Sequence, residues 1–123
     1  MYRYLALLLL SCGVNAHQFT PTYPELKPSI IEGILKVDMQ LFNRREDISY
    51  YELEVLDESG VQIPFSAQQK IIAVAFRERK NIEIYIRKKD FSRATYVCSK
   101  SKILSGQEKA SVVSSKICSK IRK

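Results

Sequence analysis

The sequence predicts an all-β protein, a single immunoglobulin-like β-sandwich of about seven strands. Three observations carry that reading. Short runs alternate apolar and polar residues with period two, polar or charged turns separate them, and no stretch sets apolar residues at helical spacing. A chain of 123 residues also suits one domain with one core.

The first sixteen residues read as a cleavable secretory signal. Arg3 gives a basic head, Leu5 to Leu10 an apolar run, and Val14-Asn15-Ala16 a small-x-small ending. Cleavage there makes His17 the first residue of the exported chain, a secreted or periplasmic protein. The apolar run is far shorter than the roughly 20 residues of a membrane span. A rival reading takes Leu9-Leu10-Ser11-Cys12-Gly13 as a lipoprotein box with Cys12 lipidated and the chain lipid-anchored; bulky Leu10 and the short run before Cys12 count against it.

Residues 17–33 hold Pro21, Pro24 and Pro28, which favour an extended segment with few ladder donors, either an irregular first strand or a lead-in arm. The sandwich proper is predicted over 34–123. From Ile34 to Phe42, Leu35, Val37, Met39 and Leu41 alternate with Lys36, Asp38 and Gln40. A polar turn follows over 43–47, and Tyr51, Leu53 and Val55 then alternate with Tyr50, Glu52 and Glu54. The two runs read as a hairpin. Val61, Ile63 and Phe65 around Pro64 suggest a short edge piece, and Lys70 to Phe76 an almost wholly apolar strand. Arg77 to Asn81 reads as a charged turn before the alternating Ile82, Ile84 and Ile86. The runs 94–104 and 110–121, on either side of the loop Ser105 to Lys109, form a terminal hairpin.

Loss of Cys12 with the signal leaves Cys98 and Cys118, an even pair that an oxidising compartment joins as a disulfide. If Cys98 faces Cys118 across the hairpin, Lys100 falls opposite Lys116 and Tyr96 opposite Lys120, with Lys102 on the same face. Val97, Ile103, Val113 and Ile117 then share the other face, so charge and apolarity separate.

The formal net charge is +7 and falls to +6 when Arg3 leaves. Residues 91–123 carry the excess, with Glu108 as their one acid. The face of Lys100, Lys102, Lys116 and Lys120 is therefore a candidate site for an anionic envelope polymer, although lysines on an edge strand also discourage aggregation. Nucleic acid is a poor fit, because aromatic interleaving is thin and an exported chain seldom meets it.

The usual catalytic groupings are missing from the sequence. His17 is the one histidine, and it falls at a new N-terminus expected to be mobile, which suits neither nucleophile activation nor a copper site lacking a second histidine. Glu52 and Glu54 read as solvated partners of neighbouring bases rather than as a catalytic pair. No phosphate-cradling loop or zinc spacing occurs. The expectation is a non-enzymatic protein without cofactor, metal or small-molecule substrate.

Taken end to end, the chain resembles the N-terminal immunoglobulin-like domain of periplasmic pilus-assembly chaperones. The stretch 37–57, VDMQLFNRREDISYYELEVLD, resembles that domain's second and third strands, VQIPFS its Pro-Phe segment, RATYVCSKSKIL its sixth strand and SVVSSKICSKIRK its seventh. The family's seventh strand lends its edge to a client subunit by strand addition. Its client-carboxylate anchor pairs an arginine of the first strand with a lysine of the seventh; FTPTYPELK here lacks the arginine and Cys118 takes the lysine position. The family also has a second domain beyond an elbow, where this chain stops. The resemblance implies the fold and not the anchoring mechanism. HQFTPTYP and the terminal CSK also resemble small secreted proteins of marine bacteriophages. The functional expectation is a protein-binding module that engages another exported polypeptide, chaperone-like or structural, in a surface or virion assembly; binding of anionic polymers through the lysine face is the alternative.

Overall fold

The computed structural model describes residues 17–103 and 114–123. The predicted signal with Cys12, the loop Ser105 to Lys109 and Val113 lie outside the described residues. The strands are β1 (Gln18–Thr20), β2 (Lys27–Pro28), β3 (Ile34–Phe42), β4 (Tyr50–Leu56), β5 (Ser66–Ala67), β6 (Ile71–Ala73), β7 (Arg79–Arg87), β8 (Tyr96–Lys102) and β9 (Lys116–Lys120). They form two antiparallel sheets. One runs β1-β3-β7-β5, with β2 also on β3, and the other runs β6-β4-β8-β9.

Alternation decides which side chains face inward. Val37, Met39 and Leu41 of β3 and Ile82, Ile84 and Ile86 of β7 meet Tyr51, Leu53 and Val55 of β4 and Val97 of β8 across the sandwich. Each such side chain contributes roughly 1.5–3 kcal/mol by leaving water. The predicted all-β immunoglobulin-like sandwich is the observed architecture.

Three expectations need correction. The runs over β3 and β4 do not pair as a hairpin; they lie in opposite sheets. Both turn one apolar face to the core, and such a face is buried equally well whether the two strands lie side by side in one sheet or across the core in two. At the corner between them Asn43 is fully buried, its Nδ2 donating to Ile48 O at 2.7 Å and Val74 O at 2.8 Å. The apolar run 70–76 supplies a strand over Ile71–Ala73 alone, because Ala75 N–H donates to Glu78 Oε1 and Glu78 N–H to Ala75 O, closing a turn with Arg77 at φ 67°. That turn occupies 75–78, so Arg79 to Asn81, expected as loop, belong to β7.

The Pro-rich segment is a strand that changes sheets. β1 pairs with β3 through Phe19 opposite Leu41. After the cis Thr20–Pro21 peptide the chain crosses to β9, where Lys120 N–H donates to Thr22 O and Arg122 N–H to Pro24 O. Residues 66–73 divide likewise, β5 on β7 and β6 on β4. Counting β5 and β6 as one divided strand, and β2 as an outlier, leaves the expected seven.

Candidate functional site

The terminal hairpin holds the register expected of it. Cys98 lies opposite Cys118, Lys100 opposite Lys116 and Tyr96 opposite Lys120, and Cys98 and Cys118 are joined as a disulfide. Ser101 N–H donates to Ser115 O and Ile121 N–H to Thr95 O, so the odd-numbered residues of β9 bond to β8. By the alternation of an antiparallel ladder, even-numbered residues turn their main-chain groups away from β8. Those of Lys120 and Arg122 meet Thr22 and Pro24. Those of Lys116 and Cys118 lie on the outer side of an edge strand with no strand beyond it among the described residues.

The lysine side chains share the outer face of this sheet with an acidic stripe from β4. Glu52 lies opposite Lys100 and Glu54 opposite Cys98. Lys102 Nζ is 3.4 Å from Glu52 Oε1, and Lys116 Nζ is 3.1 Å from Glu54 Oε1. Glu54 is buried rather than solvated as expected. Burial pushes its carboxyl up, but the close ammonium of Lys116, the hydrogen bond from Gln62 and the charge of Lys100 outweigh this and hold it below the ordinary range. The four predicted lysines thus share one face, two of them tied to acids; among the described residues Lys100 and Lys120 make no ion pair.

A buried polar cluster beneath the start of β9 is what the sequence reading missed. His17, expected as an incidental residue at a mobile terminus, is 1% exposed. Its Nε2 lies 2.8 Å from Ser99 Oγ, its Nδ1 3.3 Å from Ser115 Oγ, and its ring 4.5 Å from that of Tyr51. Burial drives the imidazole down to about 4, with the charge of Arg45 adding and hydrogen bonding to Ser99 opposing, so the ring is neutral at pH 7. Both ring nitrogens face serine hydroxyls, an arrangement that ties β1 to β8 and β9 and leaves the imidazole turned away from solvent. Tyr51 Oη donates to Asn43 Oδ1 at 2.6 Å, and burial pushes the phenol up to about 12. Arg45 N–H donates to the same Oδ1, and its guanidinium meets Asp47 at 2.7 Å. The one available signal was negative: a histidine, an asparagine and two serines in or beside strands that elsewhere bury apolar residues.

Among the described residues no group of three or more His, Cys, Asp or Glu is placed to hold a metal, and no helix is long and apolar enough to cross a membrane.

No protein-family model and no curated protein matches the chain. Solved structures do. The E. coli chaperone DraB superposes with a TM-score of 0.62 at 15% identity, over 85% of this chain and 52% of its own. The periplasmic chaperone SfaE gives 0.53 at 15% identity, over 86% and 56%. The ASH/PapD-like domain 7 of human CEP192 gives 0.56 at 9% identity, over 98% and 92%. The chain therefore spans about half the length of the two chaperones and nearly all of the single human domain. The resemblance drawn from the strand layout holds at the level of the fold: the chain is an immunoglobulin-like β-sandwich similar to these structures.

Proposed function

We propose that the protein is an exported, non-enzymatic polypeptide-binding module, chaperone-like or structural, that accepts an extended segment of another exported protein along the free edge of β9, in a surface or virion assembly. The observation that carries this is the outward main chain of Lys116 and Cys118 on an edge strand whose position is stapled by a disulfide. Strand addition needs such a fixed edge, since main-chain hydrogen bonds supply the affinity. The lysines serve this reading too. Lys116 and Lys120 set like charges against each other if two copies of β9 pair about Cys118, which disfavours self-association there without blocking a foreign strand.

The test is affinity capture from the envelope fraction of the native source, washed at low and high salt, with Lys116→Pro alongside. Proline removes an outward donor and leaves the β8 ladder intact. A specific polypeptide that survives high salt and is lost with the proline variant is the expected result. Recovery of acidic polymers alone, released by salt, would overturn the proposal and transfer the role to Lys100, Lys102, Lys116 and Lys120, since contacts between exposed charges are screened.

A further inference from the structure

The sheet opposite β9 has an open edge of its own. β5 pairs with β7 only at Ser66–Tyr85 and Ala67–Ile84, after which the chain leaves for the other sheet, with Leu53 N–H donating to Lys70 O. The stretch of β7 from Arg79 to Glu83 therefore has β3 on one side and no strand on the other among the described residues. Asn43 N–H donates to Glu78 O and Lys88 N–H to Gly33 O, which fixes the parity: even-numbered residues of β7 bond to β3. The odd-numbered Arg79, Asn81 and Glu83 turn their N–H and C=O groups outward. Beside them lies a groove of about 440 Å³, floored by Ile72 and Ile82 and walled by Gln68 and Gln69.

We propose that this edge pairs with the same edge of a second copy of the chain, in a two-fold symmetric dimer centred on Asn81. An antiparallel pairing about Asn81 sets Arg79 opposite the partner's Glu83, Asn81 opposite the partner's Asn81, and Glu83 opposite the partner's Arg79. All three pairs join residues whose main-chain groups already face outward, so the hydrogen-bond parity matches on both strands. Both charge pairs join opposite signs on one outer face. A register centred on Lys80 sets Lys80 against itself, and one centred on Ile82 brings Arg79 against Tyr85, whose edge β5 occupies. The window is bounded by the turn over 75–78 on one side and by β5 on the other, and Asn81 is its midpoint. Such an interface is isologous, closes on itself and leaves β9 of each copy free. The charges that protect most edges by repulsion are here arranged in a self-complementary order.

Five residues per strand make a small interface, at the weak end of specific contacts, with a dissociation constant in roughly the micromolar-to-millimolar range. The test is sedimentation equilibrium of the disulfide-bonded chain up to about 1 mM, with amide NMR shifts followed over the same dilution series. The expected result is a monomer–dimer equilibrium, with concentration-dependent shifts centred on Asn81 and Glu83. Arg79→Glu replaces two attractive pairs by repulsive ones and is expected to weaken dimerisation by roughly tenfold or more. Combining Arg79→Glu with Glu83→Arg is expected to restore it, and Asn81→Pro to abolish it. A chain that stays monomeric at the highest concentration overturns the proposal, as does a dimer indifferent to Arg79→Glu.

Discussion

Acid should loosen this fold through one imidazole. His17 is buried and neutral, held near 4 in the folded chain, against 6.5 for the free side chain. The folded-state value lies below the unfolded one, so between those limits the unfolded chain binds more protons and stability falls as pH falls. The stabilisation is whole above about pH 7 and has gone by about pH 4. Its size is the shift multiplied by about 1.36 kcal/mol per pKa unit, or roughly 3 kcal/mol, a large share of the 5–15 kcal/mol by which a small domain is stable. The assay is urea unfolding followed by far-UV circular dichroism at half-unit steps from pH 8 to pH 4, for the wild type and for His17→Gln. Glutamine keeps a hydrogen-bonding group near Ser99 but does not titrate. Carboxylates such as Glu54 and Asp90 also sit below their ordinary ranges and act at the acid end of both curves, so the difference between the curves isolates the histidine. That difference should change by roughly 3 kcal/mol across the window. Parallel curves would refute the argument, by showing that His17 is hydrated or protonated in the fold.

Three further outcomes follow from the same packing. Asn43→Ala leaves two buried carbonyls, the Tyr51 hydroxyl and the Arg45 amide short of a partner, and at about 1 kcal/mol or more for each should cost at least roughly 4 kcal/mol in the urea midpoint analysis. Reducing the disulfide, which closes a loop across a sequence separation of 20, should cost about 3 kcal/mol, read from unfolding curves with and without reductant. Lys116→Met strands the buried Glu54 carboxylate and should cost about 1 to 2 kcal/mol at pH 7, read from the same unfolding curves; adding Glu54→Gln, which removes the unpaired charge, should recover most of the loss.

The sequence was most legible where one physical rule governs. Period-two alternation identifies which side chains are buried, and Val37, Met39 and Leu41, Tyr51, Leu53 and Val55, and Ile82, Ile84 and Ile86 all face the core. The terminal hairpin was legible to the residue, because a disulfide and a charge pattern both select one register. Alternation says nothing, however, about which strand lies alongside. The seven residues from Asn43 to Ser49 could turn back within a sheet or cross the roughly 10 Å between sheets, and the choice rests on Asn43, whose amide bridges carbonyls of residues 48 and 74. His17 was misjudged for a related reason. Its partners Ser99 and Ser115 lie 82 and 98 residues away, and such contacts leave no local trace.

The two free edges show what that blindness means for function. On β9 the lysines stand out in the sequence because acids are scarce around them, and that they line an edge strand follows once the strand order is known. On β7 the residues RKNIE read as the tail of a charged turn, and nothing local distinguishes solvated charges from a self-complementary set. The distinction depends on β5 ending at Ala67, two residues into its pairing, where the chain departs for the other sheet. A strand that breaks off early leaves its neighbour's amides without a ladder partner, and only then does the order Arg79, Asn81, Glu83 acquire a register. The divided strand covers only part of one edge of each sheet, so lengthening β5 by a few residues would seal the β7 edge and leave β9 untouched. Such a variant should abolish self-association while retaining polypeptide capture, which separates the two edges experimentally.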